Sequence, residues 1–274
     1  MGLSMLTNPV VETYSRLAAD YDGESNSRSC WAYASQQALE SIVLRSEYGL
    51  VVDVGCGTGK VLAQLAAQAS PATTFIGLDP APNMRVLARQ RTKDFRQVQI
   101  LHGSFEHIPL TSQSVDYLFS IFAFHWVTDL DVAVSEIARV LRPEAAMDLF
   151  FVGRNNGREF IQKTSPIFLK HMGPALFVQS AKLRKQLTKD QAFALFTKYL
   201  APRQLLIEES YDTYYDTLEG HLGWWVRIEG QFVSIPKEKR KQCDRDVREA
   251  ISMLEEDRGI PYTIHEVHVK IGDI

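Results

Sequence analysis

The stretch LVVDVGCGTGKV, residues 50–61, decides the fold of this chain. Its apolar start, Leu50 to Val54, is typical of a buried parallel strand, and a helical pattern begins directly after the last glycine. Gly55, Gly57 and Gly59 separate the strand from the helix at every second position. Because glycine tolerates positive φ and admits close neighbours, the loop predicts a tight strand-to-helix turn with room for a ligand.

Composition indicates a globular chain with a sizeable core. The 274 residues are 45% hydrophobic and 23% charged, with a formal net charge of −3. Basic residues form only short clusters, so no nucleic-acid partner is expected. No apolar run reaches the roughly 18 residues of a membrane span, and the N-terminus lacks a signal-peptide pattern. We therefore expect a cytoplasmic protein, monomer or dimer, with no membrane partner. The three cysteines have no metal spacing, and no metal site is predicted.

Two acidic residues lie close to the glycine loop. Asp53 precedes the first glycine by two residues, where a carboxylate would repel a pyrophosphate but suits an ammonium group. The G-x-G-x-G spacing also differs from the dinucleotide fingerprint and from a phosphate loop. Asp79 follows the next predicted strand, Thr74 to Leu78, and a carboxylate there can accept hydrogen bonds from both hydroxyls of a ribose. Asp79 is thus expected for any adenosine cofactor, NAD included.

The loop resembles motif I of the class I S-adenosylmethionine (SAM)-dependent methyltransferases, in which it lies under the methionine part of SAM. Residues 79–84, DPAPNM, are similar to the family's Asp-x-Ser-x-x-Met, and residues 103–109 to its Gly-Asp-Ala-Glu-x-hydrophobic-Pro. The specific motifs cover residues 10–153. The resemblance implies SAM as cofactor and an α/β fold. Its Rossmann-like seven-stranded sheet would have the order 3-2-1-4-5-7-6, with the last strand antiparallel and a helical lid or insert.

The resemblance also assigns the cofactor contacts. Tyr21 belongs to a segment similar to a lid whose tyrosine closes over SAM, with ordinary packing as the alternative. Ser104 stands where the family has an aspartate that accepts from the adenine amino group; a hydroxyl accepts without charge assistance. Phe105 would form a wall for the adenine ring, although residues 104–107 also fit a plain polar turn. The predicted cofactor contacts are Tyr21, Asp53, Gly55, Gly57, Gly59, Asp79, Pro80, Met84, Ser104, Phe105 and Phe122.

Residues 122–126, FAFHW, carry the candidate acceptor site because they follow the fourth predicted strand, Val115 to Ile121. Residues beyond the carboxyl end of a central strand line the ligand crevice of an open α/β sheet. His125 is the candidate catalytic residue, as general base or as donor to the substrate; an aromatic cluster packing the lid is the alternative. Arg154 could pair with a substrate carboxylate or be a surface arginine. The predicted substrate contacts are Phe124, Trp126, Arg154, Trp224 and Arg227.

Periodicity predicts further elements. A helix over Trp31 to Arg45 would place Val43 inward among other apolar residues. Thr128 is expected to start the helix that precedes the fifth strand, Ala146 to Gly153. Thr188 and Gln191 form a capping box for a helix in the insert. A late helix is predicted over Lys237 to Arg258, before a final strand over Tyr262 to Ile271.

We divide the chain into a helical lid (1–49), a SAM-binding core (50–153), a helical insert over the active site (154–203) and a C-terminal completion of the sheet (204–274). Within the class, His125-Trp126 and the Tyr-Thr-Ile-His of residues 262–265 look similar to malonyl-carrier-protein O-methyltransferases and trans-aconitate methyltransferases. This favours O-methylation of a carboxylic acid, free or carrier-bound. Such an acceptor needs no base because it is anionic at pH 7. N- or C-methylation of a small metabolite, SAM binding without catalysis, and NAD-dependent oxidation are the alternatives.

Overall fold

The computed structural model describes residues 8–21, 23, 27–228 and 235–272. Strands and helices alternate through its centre, with extra helices at the start and in the last two connections. The strands are β1 (Leu50–Val54), β2 (Thr74–Asp79), β3 (Val98–His102), β4 (Val115–Ile121), β5 (Leu141–Val152), β6 (Leu205–Asp216) and β7 (Ile260–Ile271). The α-helices are α1 (Pro9–Tyr21), α2 (Cys30–Ser41), α3 (Lys60–Gln68), α4 (Pro82–Thr92), α5 (Leu130–Val140), α6 (Arg158–Met172), α7 (Pro174–Ala181), α8 (Lys189–Leu200), α9 (Leu218–Ile228) and α10 (Arg240–Ser252).

The sheet has the order β3-β2-β1-β4-β5-β7-β6. Strands β1 to β5 pair in parallel, whereas β7 runs antiparallel to both β5 and β6. The predicted strand order and the antiparallel last strand are therefore confirmed. β1 lies between β2 and β4, where the strand order reverses, and ligands of open α/β sheets bind at the carboxyl side of such a point.

The central strand is covered on both faces, as its apolar run requires. Val51, Val52 and Val54 have no exposed surface. Val52 and Val54 belong to the core on one side of the sheet and Val51 to the core on the other side. Strand side chains alternate between faces, so a strand buried on both sides must be apolar throughout. Asp53 is the exception in β1, and the site explains it.

The predicted insert contains α6, α7 and α8. The capping box of α8 is present, with Thr188 and Gln191 each bonding the other's backbone. Phe196 of α8 is fully buried in the core beside β5, so this helix packs against the sheet. α6 packs instead on α9 and α10, which fill the connection between β6 and β7, in a separate apolar cluster. Among the described residues no helix is both long and apolar enough to cross a membrane.

Several predicted boundaries were wrong. α2 ends at Ser41, because Ile42 is already extended while its N–H closes a last turn on Leu39. Val43 is consequently 71% exposed and not inward. β5 begins at Leu141, which pairs with Val115, and not at Ala146. α5 is capped by Asp129, not Thr128, and α10 ends at Ser252, not Arg258. Helix α9 was not predicted.

Candidate active site

Three adjacent hollows lie at the carboxyl ends of β1, β2 and β4, and Tyr21 lines all of them. The large chamber, about 420 Å³, is bordered by Asp79, Met84, Ser104, Phe105 and Phe122. The side chamber, about 150 Å³, is bordered by Asp53, Gly57 and Lys60. The vestibule, about 40 Å³, is bordered by Trp31, Phe122, His125, Trp126, Arg184 and Gln186. The predicted lid tyrosine is therefore placed at the cavity.

Asp79 is held in position by two backbone amides. The Gly57 N–H donates to Oδ2 at 2.9 Å and the Ala81 N–H donates to Oδ1 at 2.8 Å. A carboxylate has about four acceptor positions, so each oxygen retains one for a ligand. Burial raises the pKa of Asp79 to about 6, while the two amides and Arg85 oppose that rise. The side chain can accept from two neighbouring hydroxyls in the large chamber.

The glycines of the loop have different reasons to be glycine. Gly55 has φ +83°, and a Cβ there would meet the Cβ of Ala123, so packing excludes a side chain. Gly57 has φ +53°, and a Cβ there would meet no atom within 4 Å. Its open side faces the large and side chambers. Gly59 packs against Ala88 of α4 and borders none of the three hollows. The structure gives Gly59 a role in helix packing, and its contact with the cofactor stays a prediction.

Asp53 is buried at the side chamber, where no hydrogen bond to its carboxyl is formed by the described residues. Burial raises its pKa well above the usual value, and the nearby Asp79 adds to the rise. A buried acid without a partner is costly when ionised, unless a cation comes to it. The position therefore suits a ligand ammonium group, as the sequence predicted.

The far end of the large chamber is mostly apolar. Met84 and Phe105 are buried and border it together with Pro80. Ser104 also borders it, and its backbone exchanges two hydrogen bonds with His107 in a tight turn. This combination of flat apolar walls and one hydroxyl is where the resemblance placed the adenine.

Phe122 lies where the large chamber and the vestibule meet. Its φ is +54°, a left-handed conformation that bulky residues rarely adopt. Its N–H donates to the Phe150 carbonyl at 2.8 Å, and its ring packs edge-on against Trp31 at 5.5 Å. Strain of this kind concentrates at functional sites, which supports a position beside the reacting groups.

His125 borders the vestibule and is buried. Burial lowers its pKa to about 3, with a contribution from the Arg184 cation. Its Nδ1 has no hydrogen-bond partner among the described residues. The imidazole is thus neutral at pH 7 and a weak base.

Arg184 joins the vestibule to the predicted insert. Its guanidinium lies over the Trp126 ring, 5.2 Å from the ring centroid. A backbone hydrogen bond fixes this loop next to the turn that carries His125: the Lys185 N–H donates to the His125 carbonyl at 2.8 Å. The predicted insert therefore brings a cation, Arg184, to the vestibule.

Three predicted substrate contacts whose side chains the structure describes do not border the vestibule. Phe124 is fully buried in the core, packed edge-on against Phe105 at 5.1 Å, because its side chain points beneath the turn. Arg154 is exposed and borders none of the hollows. Trp224 is buried in the α6–α9–α10 cluster, behind Trp31 at 5.9 Å. The side chain of Arg227 lies outside the described residues. Trp126 does border the vestibule, and its contact with the substrate stays a prediction.

Several lining residues were missed by sequence reasoning. Tyr14 borders the large chamber and the vestibule and contacts the rings of Tyr21 and Trp126 edge-on. Tyr14 follows Val11 by three residues, a spacing that places both on one helix face but does not show that this face covers a cavity. Trp31 and Gln186 are fixed by tertiary packing and have no local sequence signal.

Comparison with known proteins decides between the cofactor classes. A family model described as a methyltransferase domain matches residues 52–147, which contain the glycine loop, Asp79 and the vestibule turn. Residues 52–147 form a SAM-dependent methyltransferase domain. Its cofactor is SAM, and the NAD-dependent alternative is set aside.

Relatives of the methyltransferase domain act on different acceptors. A demethylmenaquinone methyltransferase of Lactobacillus johnsonii is 28% identical over 212 residues, 68% of this chain and 87% of the relative. A malonyl-[acyl-carrier protein] O-methyltransferase of Yersinia pestis is 35% identical over 136 residues, 49% of this chain and 46% of the relative. The solved structure of the YcgJ protein of Bacillus subtilis has a TM-score of 0.61 at 16% identity, covering 89% of this chain and 99% of that one, and shows the shared fold.

The residues present fit SAM. Asp79 offers two acceptor positions for ribose hydroxyls, and the open side of Gly57 leaves room for the ligand beside them. The unpartnered carboxyl of Asp53 suits the amino group of the methionine part. These features lie in adjacent chambers that share Gly57 and Tyr21 in their linings.

Proposed function

We propose that this methyltransferase transfers the SAM methyl group to a carboxylate oxygen of a small acid. The observation that carries the proposal is the set of donors around the vestibule. Trp31 Nε1 and Gln186 Nε2 are buried without a hydrogen-bond partner among the described residues, and the Arg184 guanidinium borders the same hollow. Buried donors are costly unless an acceptor arrives. A carboxylate supplies acceptor oxygens and the opposite charge to arginine.

The weak basicity of His125 supports the same acceptor. A phenol or an amine has a pKa near 10 and must lose a proton before or during methyl transfer. Moving that proton to an imidazole of pKa about 3 is uphill by roughly 7 units, or about 10 kcal/mol. A carboxylate is already ionised at pH 7 and needs no base. In this account the neutral His125 orients the acid by a hydrogen bond.

The chain's own residues would act by binding and exclusion of water. Bound SAM supplies an electrophilic methyl group on a sulfonium. Asp79 would hold the ribose, and Asp53 the amino group. Tyr14 and Tyr21 cover the chambers from α1, which removes water from the acceptor. The carboxylate and the sulfonium neutralise each other as the methyl moves, so a dry site lowers the barrier. Positioning by Arg184 and Phe122 contributes the rest.

C-methylation of a phenolic ring is the second candidate. It is favoured by the demethylmenaquinone methyltransferase relative and by the aromatic border of the vestibule, which includes Trp31, Phe122 and Trp126. It requires a base stronger than His125 as found here.

Labelled-methyl transfer from SAM across a panel tests the proposal. The panel contains free carboxylic acids, carrier-bound acids, phenols, quinols and amines, with Arg184→Gln beside wild type and Lys182→Gln as the matched control. We expect transfer to acids, with KM for the acid raised at least tenfold by Arg184→Gln and unchanged by Lys182→Gln. Transfer to phenols, quinols or amines but to no acid contradicts the proposal while leaving the SAM assignment intact.

A further inference from the structure

The hairpin of α6 and α7 leaves apolar surface uncovered. α7, with the sequence PALFVQSA, carries no charge and has no buried residue. Large apolar side chains with substantial exposure cluster on this hairpin: Ile161 at 41%, Leu169 at 43%, Leu176 at 37% and Val178 at 51%. Leu176 and Val178 are two positions apart and so point about 200° apart around the helix. α7 is therefore exposed on opposite sides, and several uncovered apolar side chains within one segment indicate an interaction surface.

The segment that carries the hairpin is basic. Residues 154–189 contain eight lysines or arginines and one acidic residue, a formal charge of +7 within a chain of net charge −3. Lys163 and Lys182 flank the apolar surface and are exposed. Within the described part of the chain neither forms an ion pair, whereas Lys170 is bound by Asp246 at 3.1 Å. The exposed lysines are available to an anionic surface.

We propose that α7 and its flanking lysines bind the surface of an anionic lipid membrane, with Leu176, Phe177 and Val178 in the headgroup region. The uncharged apolar helix suits the boundary between headgroups and acyl chains, and the lysines beside it suit the negative potential of the membrane surface. Eight residues are too few to span a bilayer, so the contact is peripheral. A groove on a partner protein would cover only one side of α7. Lipid headgroups would surround an inserted helix, and this fits a helix that is exposed on opposite sides.

The contact would orient the active site. The chain leads from α7 directly to Arg184 and to the Lys185 amide that binds His125. The vestibule would then open close to the lipid, where an acid with an apolar tail is concentrated. This consequence rests on the proposed function; membrane binding itself does not.

Vesicle flotation of the full chain tests the contact. Vesicles of phosphatidylcholine and phosphatidylglycerol at 3:1 are compared with pure phosphatidylcholine at low and high salt. We expect at least tenfold more bound protein on the anionic vesicles, with the difference lost at high salt. The double variants Leu176→Ser/Val178→Ser and Lys163→Glu/Lys182→Glu should each lose binding at least tenfold.

Matched controls carry the same changes elsewhere on the surface: Val43→Ser/Val86→Ser and Lys93→Glu/Lys239→Glu. They should float as wild type does, and melting temperatures establish that all variants fold. Wild type that fails to float with anionic vesicles overturns the proposal, as do controls that lose binding equally. Binding of an acyl carrier protein through α7 without vesicle binding overturns it too. Transfer to a soluble acid should be equal in all variants, which separates this test from that of the proposed function.

Discussion

The amide of Gly57 donates a hydrogen bond to Oδ2 of Asp79 at 2.9 Å, across 22 residues of sequence. The glycine loop and the acid at the end of β2 are thereby one unit. Because the Ala81 amide holds the other oxygen, the carboxylate cannot rotate away from the large chamber. Backbone amides, which every residue except proline has, hold the Asp79 carboxylate in place. The glycine loop and Asp79 are therefore enough to identify the cofactor site in the sequence.

SAM affinity should depend on the ionisation of Asp79. Its pKa of about 6 means that about nine-tenths of the carboxyl is protonated at pH 5, and a protonated acid accepts ribose hydroxyls less well. We expect the Kd of SAM to rise up to about tenfold between pH 7.5 and pH 5. Asp79→Asn should weaken binding about 10- to 100-fold at pH 7.5 and reduce the pH dependence, measured by calorimetry. Equal wild-type affinity at both pH values contradicts the assignment.

The ligand-free protein provides the matching stability measurement. A folded-state pKa raised from about 4 to about 6 stabilises the fold at low pH, and that stabilisation is lost as pH rises through this window. Wild type should therefore lose about 2 kcal/mol of stability relative to Asp79→Asn between pH 4 and pH 6. Denaturant unfolding of both proteins at the two pH values gives the difference directly, and a constant difference excludes the raised pKa.

Two glycine substitutions should separate binding from folding. Gly57→Ala adds a methyl group into the chamber, so it should weaken SAM at least tenfold while costing only about 1–2 kcal/mol of stability for its positive φ. Gly55→Ala places its Cβ against Ala123 and should cost several kcal/mol of stability. Melting temperature and SAM calorimetry on both variants check this. Gly57→Ala with wild-type affinity would show that the ligand lies elsewhere.

Ser104→Asp should hold or improve SAM affinity. The position borders the apolar end of the large chamber, where a carboxylate can accept from an adenine amino group with charge assistance. Ser104→Ala, the matched control, should weaken binding about 3- to 10-fold by loss of a neutral hydrogen bond. Competition binding ranks the three proteins. A folded Ser104→Asp with a large loss of affinity places the adenine away from this residue.

Methyl transfer should show no histidine titration in the neutral range. Burial lowers the pKa of His125 to about 3, so the imidazole is neutral throughout the neutral pH range. We therefore expect kcat at saturating SAM and acid to be constant from pH 6.5 to 8.5. His125→Asn should retain measurable activity with the same flat profile, since it can still orient the acid. An inflection near pH 6.5 that disappears in His125→Asn, together with a loss of 10²–10⁴ in rate, would identify His125 as a general base instead.

The cofactor half of the site was predictable from sequence because its geometry is local. Asp53, Gly57 and Asp79 stand at fixed offsets from strand ends, and parallel strands bring those ends to one edge. The strand order followed from the family resemblance carried by the same residues. The packing of Gly59 against Ala88 was not predictable, because spacing alone does not distinguish a glycine that faces a ligand from one that faces a helix.

The acceptor half was less predictable because tertiary packing decides it. Phe124 and Trp126 are two residues apart in a single turn, yet one points into the core and the other to the vestibule. Arg184 reaches the site because the chain after α7 returns over the turn, which no local pattern records. Arg154, adjacent to a strand end, was the better guess from sequence and is exposed instead.

The chemical stability of the labelled product tests the central claim most directly. Wild-type protein is incubated with methyl-labelled SAM and the best acid of the panel, and the product is then treated with mild base. A carboxylate acceptor gives a methyl ester, so the account predicts that the label is released as volatile methanol, and that Arg184→Gln reduces this release at low acid concentration. Label that stays in the product after base treatment would show methylation at carbon, nitrogen or a hydroxyl oxygen, and would contradict the account.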